Sequence, residues 1–152
     1  MQSIPAHWNR AVGCLAGRGG EGVALLLTRI ALAGVFWRSG QSKLVEGSWF
    51  EISPSTYFLF ETEYSAVPLP PAFAAVMATI AEHVFPILLV LGLGTRLAAL
   101  ALLGMTMVIQ IFVYPEAWWS VHLLWVAMAA ILISRGAGMF SLDALLGARL
   151  RA

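Results

Sequence analysis

The chain has 152 residues, 60% of them hydrophobic and only 11% charged, with a formal net charge of +1 and a mean hydropathy of +0.83. Soluble domains carry about 25% charged residues, so the composition reads as an all-α integral membrane protein with a single domain over 1–152. It argues against nucleic acid as a partner, and without a G-x-G-x-x-G or P-loop signature no nucleotide site is indicated. The lone cysteine, Cys14, excludes an intrachain disulfide or a C-x-x-C redox centre. His7, His83 and His122 are too scattered for a structural metal site, so no metal is expected.

From the N-terminus, Arg10 and Arg18 precede an apolar run too long for a signal h-region, with no clean cleavage site, and an uncleaved signal anchor is expected. Four transmembrane helices are predicted, over 22–41, 72–93, 97–113 and 118–134. Each has about 17–22 residues, enough to cover most of a ~30 Å hydrocarbon core, and only helices satisfy their own backbone there. Pro70 and Pro71 open the second span, Gly92 and Gly94 close it, Thr95 can cap the third and Pro115 stops it. Gly136 and Gly138 stop the fourth. Between the first two spans lies a long connection, 44–70, in which Ser53-Pro54 predicts the start of a short helix over Thr56–Tyr64. In the tail, Ser141 can cap a short interfacial helix over 141–150, with Asp143 in its first turn and a stripe of Leu142, Leu145, Leu146 and Leu150. Trp8, Val12 and Leu15 repeat that spacing near the N-terminus.

Arg10, Arg18, Arg96, Arg135, Arg149 and Arg151 fall on one side of this layout; Glu46, Glu51, Glu61, Glu63 and Glu116 fall on the other. The positive-inside rule then puts both termini in the cytoplasm. The expected architecture is a four-helix membrane bundle in the bacterial cytoplasmic (inner) membrane, with a long outer loop carrying a short interfacial helix.

Charges at membrane depth persist only when they pair, face a protein interior or perform a function. Arg29 and Glu82 stand near the middles of the first two spans, at nearly equal depth when counted from the span centres. An Arg29–Glu82 ion pair is therefore predicted. A ~100° helical step puts Arg29, Gly40 and Lys43 on one face, with Gly40 allowing close helix approach. Lys43 and Arg38 lie further out, where they can snorkel. Pro86, four residues after Glu82, removes the N–H that would bond the Glu82 carbonyl and tends to kink the helix. Gln110 and His122 form a second polar layer toward the outside, with His122 the stronger candidate than His83. The ligand candidates are thus Arg29, Lys43, Glu82, Gln110 and His122, with no catalytic residue assigned. A purely structural ion pair is an equally good reading of the buried charges.

Thr28-Arg29-Ile30, Ser39-Gly40-Gln41-Ser42-Lys43-Leu44, Ala81-Glu82, Leu93-Gly94-Thr95-Arg96-Leu97-Ala98-Ala99, Arg135-Gly136-Ala137-Gly138 and Ser141-Leu142-Asp143 follow one another in an order that resembles the DoxX family. The resemblance covers nearly all of 24–146. It implies a four-helix membrane bundle described as oxidoreductase-associated; a related DoxD-type protein is a subunit of thiosulfate:quinone oxidoreductase. It brings no cofactor motif and does not itself make the chain an enzyme.

Two functions fit the sequence. One is a membrane subunit of a redox system that binds a quinone-like molecule or docks a redox partner protein. The chain offers no ligand set for haem, an iron–sulfur cluster or flavin, so electrons would come from elsewhere. The other is a non-catalytic small transporter or assembly factor. No internal repeat is evident, which disfavours a monomeric transporter and leaves room for a homo-oligomer.

Overall fold

The computed structural model describes residues 12–13 and 16–149. The readings made on His7, Trp8, Arg10, Cys14, Leu15, Leu150 and Arg151 lie outside these residues. Six α-helices account for most of the described chain: α1 (Arg18–Ser42), α2 (Pro54–Thr62), α3 (Pro71–Leu91), α4 (Thr95–Phe112), α5 (Leu123–Arg135) and α6 (Leu142–Arg149). A 3₁₀ turn (Pro115–Ala117) and a π turn (Trp118–His122) lead into α5, so the fourth span runs over Pro115–Arg135.

Local chemistry sets the boundaries. Pro54 and Pro71 occupy first-turn positions where the missing N–H costs nothing. Ser53 accepts a hydrogen bond from the Thr56 N–H and caps α2. Gly92, at φ +66°, ends α3 in the left-handed conformation that favours glycine. Thr95 does not cap α4, contrary to expectation: Gly94 occupies that position, and the Asp143 carboxylate accepts from the Gly94 and Thr95 N–H groups at 2.8 and 3.0 Å. An aspartate from the tail thus does what a local threonine was expected to do. Ser141 accepts from the Ala144 N–H at 3.1 Å, opening α6.

Four helices, of 25, 21, 18 and 21 residues, are long and apolar enough to cross a membrane. They pack in a closed ring: α1 on α3, α3 on α4, α4 on the fourth span, and the fourth span back on α1. Leu32, Phe36, Leu89, Leu102 and Leu132 fill the middle. Leu27, Ile80, Leu97, Ile111 and Leu124 face outward, as lipid solvent requires. The protein is a multi-pass four-helix membrane bundle. α2 lies across one end of it and seats Phe60 on Ala74 and Ala75 of α3. The chain between α1 and α2 doubles back through a bridge between Leu44 and Ile52.

Candidate functional site

The buried charges divide between the two ends of the bundle, and Arg29 does not meet Glu82. Glu82, 2% exposed, pairs with Lys43, whose Nζ lies 2.6 Å from Oε2. Arg29, wholly buried, donates from Nη1 to the Leu89 and Val90 carbonyls at 3.2 and 3.4 Å and from Nη2 to the Phe140 carbonyl. Helical side chains lean toward their own N-terminus. In the antiparallel pair α1–α3, Arg29 therefore leans toward the end of α3 while Glu82 leans toward the end of α1. Along α3, Glu82 and the Leu89 and Val90 carbonyls that Arg29 reaches are about 10–12 Å apart at 1.5 Å per residue.

At the Lys43 end, one polar chain runs through three side chains. Lys43 Nζ donates to Ser39 Oγ at 3.0 Å, and Ser39 Oγ donates to Glu82 Oε1 at 3.1 Å. Glu82 Oε2 takes the ammonium as a close ion-pair contact. Lys43 does not snorkel. It ends α1, and its carbonyl accepts from Ser53 N at 2.9 Å and from the buried Thr56 Oγ1 at 2.9 Å. The loop before α2 and α2 itself therefore close over it. Gly40 makes the approach possible: a Cβ there would lie 2.8 Å from His83 Cε1 and 3.1 Å from Glu82 Cβ. His83 Nδ1 lies 2.7 Å from the Thr79 carbonyl and must donate to it, leaving Nε2 to accept from Gln41 Nε2 at 2.9 Å.

Beside Glu82 lies a cavity of about 270 Å³ between α3, α4 and the α2–α3 connection. Ala74, Ala78 and Ala81 leave room on the α3 side, and Met105, Val108 and Ile109 form the α4 side. Phe60 and Tyr64, stacked with centroids 4.5 Å apart, cover the end. Glu82 is the charged group in this lining. Burial, then the charges of Tyr114, Glu82 and Glu63, pushes the Tyr64 phenol up to about 12. Tyr114 donates to Glu63, and that hydrogen bond raises its own pKa.

Gln110 and His122 meet as expected: His122 Nδ1 lies 2.7 Å from Gln110 Oε1, and Gln110 Nε2 donates to the Pro115 carbonyl at 2.8 Å. His122 is buried against Trp125. No hydrogen bond among the described residues joins this pair to the Lys43–Glu82 cluster. Pro86 is buried within a continuous α3 and borders a second, apolar cavity of about 380 Å³ with Ala33, Gly34 and Trp37.

At the opposite end, Arg29 organises the tail. It caps the C-terminal carbonyls of α3, where the helix dipole favours a cation, and ties them to Phe140. Asp143 N donates to the Gly92 carbonyl at 2.9 Å. Ser141 Oγ donates to the Gly138 carbonyl at 2.6 Å, and Gly138, at φ +77°, packs on Leu25 of α1. Arg96 reaches the Ser134 carbonyl at 3.3 Å and lies along Gly136. Among the described residues, no three His, Cys, Asp or Glu side chains gather closely enough to hold a metal ion.

Sequence reasoning missed Ser39 and Tyr64. Ser39 was findable, since it stands four residues before Lys43 and so shares its helix face. Nothing local marked Tyr64, whose place depends on how α2 docks.

The DoxX family profile matches residues 24–115, a stretch that holds Arg29, Ser39, Gly40, Lys43, Glu82 and Gln110 and stops short of His122 and the tail. A protein from Haemophilus influenzae (strain ATCC 51907 / DSM 11121 / KW20 / Rd), described only as an uncharacterized protein, is 34% identical over 143 residues, covering 84% of this chain and 85% of its own length. No solved structure matches the chain. On the extent of the profile match and of this relative, the chain belongs to the DoxX family.

Proposed function

We propose that this protein is the membrane subunit of a redox system and binds a quinone-like ring compound in the cavity beside Glu82. One observation carries the reading. An apolar cavity of about 270 Å³ at membrane depth ends on a carboxylate that Lys43 and Ser39 hold in place. Ligand sites are mostly apolar with a few convergent polar groups, and this volume suits a single ring with a tail left outside. Tyr64 and Phe60 offer aromatic faces for that ring. The redox centre belongs to a partner protein. The protein sits in the bacterial cytoplasmic membrane with both termini in the cytoplasm, a reading supported by Arg18, Arg96, Arg135 and Arg149 at one end of the bundle and Glu46, Glu51, Glu61, Glu63 and Glu116 at the other.

The test is a titration of the purified protein in lipid nanodiscs with a decyl-tailed benzoquinone in its oxidised and reduced forms. Saturable binding by the wild type that weakens in Glu82→Gln supports the reading. Absence of binding in both redox states, together with solute flux through liposomes holding the protein, would replace it with a transport role.

A further inference from the structure

The cavity also carries information about its ligand's shape and donor chemistry. Phe60, Tyr64, Val67 and the half-exposed Leu69 border its covered end, and Glu82 its inner end. The remaining side is formed by Met77 on α3 and Val108 on α4, which are 48% and 39% exposed on the surface that faces lipid. An apolar molecule dissolved in the bilayer meets this space from the side, at Met77 and Val108. At the inner end the hydrogen-bonding capacity is specific. In its ion pair with Lys43, Glu82 can only accept. Ser39 and Lys43 hold this carboxylate, the Ser39 hydroxyl on Oε1 and the ammonium 2.6 Å from Oε2. A carbonyl oxygen presented to the carboxylate would face another acceptor, while a hydroxyl would donate to it.

We propose that the cavity selects a membrane-dissolved amphiphile whose ring bears a hydroxyl, donated to the Glu82 carboxylate, and whose apolar tail leaves between Met77 and Val108. This rests on the cavity being the ligand site, as proposed above, and adds which redox form of a ring compound it prefers and by which route it arrives. The reduced, dihydroxy form binds in preference to the oxidised, dicarbonyl form. Equal tails give the two forms similar access from the bilayer, so the difference between them reports the head-group contact.

Isothermal titration in nanodiscs under anaerobic conditions tests this with three probes: a decyl-tailed benzoquinol, the corresponding quinone, and the same quinol ring without its tail. The variants are Met77→Trp and, on the facing helix, Val108→Trp, each placing an indole in the lateral opening; thermal melting identifies the one that folds as the wild type does. The expected result is that the tailed quinol binds more tightly than the tailed quinone and the tailless ring, and that the indole abolishes its binding. Equal or tighter binding of the quinone, equal binding of the tailless ring, or full binding by a folded plugged variant would overturn this inference while leaving the cavity as a ligand site. No saturable binding of any probe to the wild type would overturn both.

Discussion

A double-mutant cycle on Lys43 and Glu82 separates the pairing seen in the structure from the one that depth-counting predicts. Both side chains are buried, at 6% and 2% exposure, with their charged atoms 2.6 Å apart. Lys43→Met leaves the Glu82 carboxylate with only the Ser39 hydroxyl, in the middle of α3, where it cannot reach water. Removing one partner of such a pair costs about 3–5 kcal/mol. Glu82→Gln is milder, about 1–3 kcal/mol, because the glutamine still offers a carbonyl oxygen to the Lys43 ammonium. The double variant Lys43→Met/Glu82→Gln should recover a coupling energy of about 1–3 kcal/mol. Arg29→Ala combined with Glu82→Gln should be additive within about 0.5 kcal/mol, since the two groups share no partner. Reversible unfolding in mixed micelles, followed by tryptophan fluorescence, measures all five variants. Additivity for Lys43 and Glu82, with coupling between Arg29 and Glu82, would refute the assignment.

Other consequences follow from close approaches and from the tyrosine cluster. Gly40→Ala drives a methyl to within 2.8 Å of the His83 ring and should destabilise by about 1–3 kcal/mol, whereas Gly34→Ala meets nothing within 4 Å and should be neutral or slightly stabilising in the same unfolding assay. Gly92→Ala combines a left-handed φ of +66° with a Cβ that would collide with Arg29 Nη1. It should cost about 2–4 kcal/mol and release the tail, read as faster amide exchange at Asp143 and Ala144. The Tyr64 phenol is held neutral up to about pH 12, against 10.0 for an ordinary tyrosine. The unfolded chain therefore loses that proton first, and stability falls as pH rises from about 10 to about 12. Tyr64→Phe should flatten the fall and remove the latest step of the phenolate absorbance titration.

Much of the fold is written locally. Hydropathy gives the four spans, and Pro71, Gly92 and the Ser53-Pro54 pair mark helix ends because each acts on its own backbone. The shared face of Gly40 and Lys43 also followed from helical periodicity alone. Register did not. Two antiparallel helices of similar length can slide by several residues without changing hydropathy, so counting from span centres joined Arg29 to Glu82. Side-chain lean and the tail's carbonyls, at Phe140 above all, decide otherwise. The Asp143 cap on α4 and the place of Tyr64 are tertiary facts, invisible until the tail and α2 dock.

In the proposed complex the Glu82 carboxylate touches the ligand's head group. Infrared difference spectroscopy on nanodiscs, before and after adding the decyl-tailed benzoquinol, reads that contact. A ligand-induced change in the carboxylate stretching bands that disappears in Glu82→Gln and shifts in Ser39→Ala is the predicted result. The same bands surviving in Glu82→Gln, or a wild type that binds the probe with no carboxylate change, would contradict it.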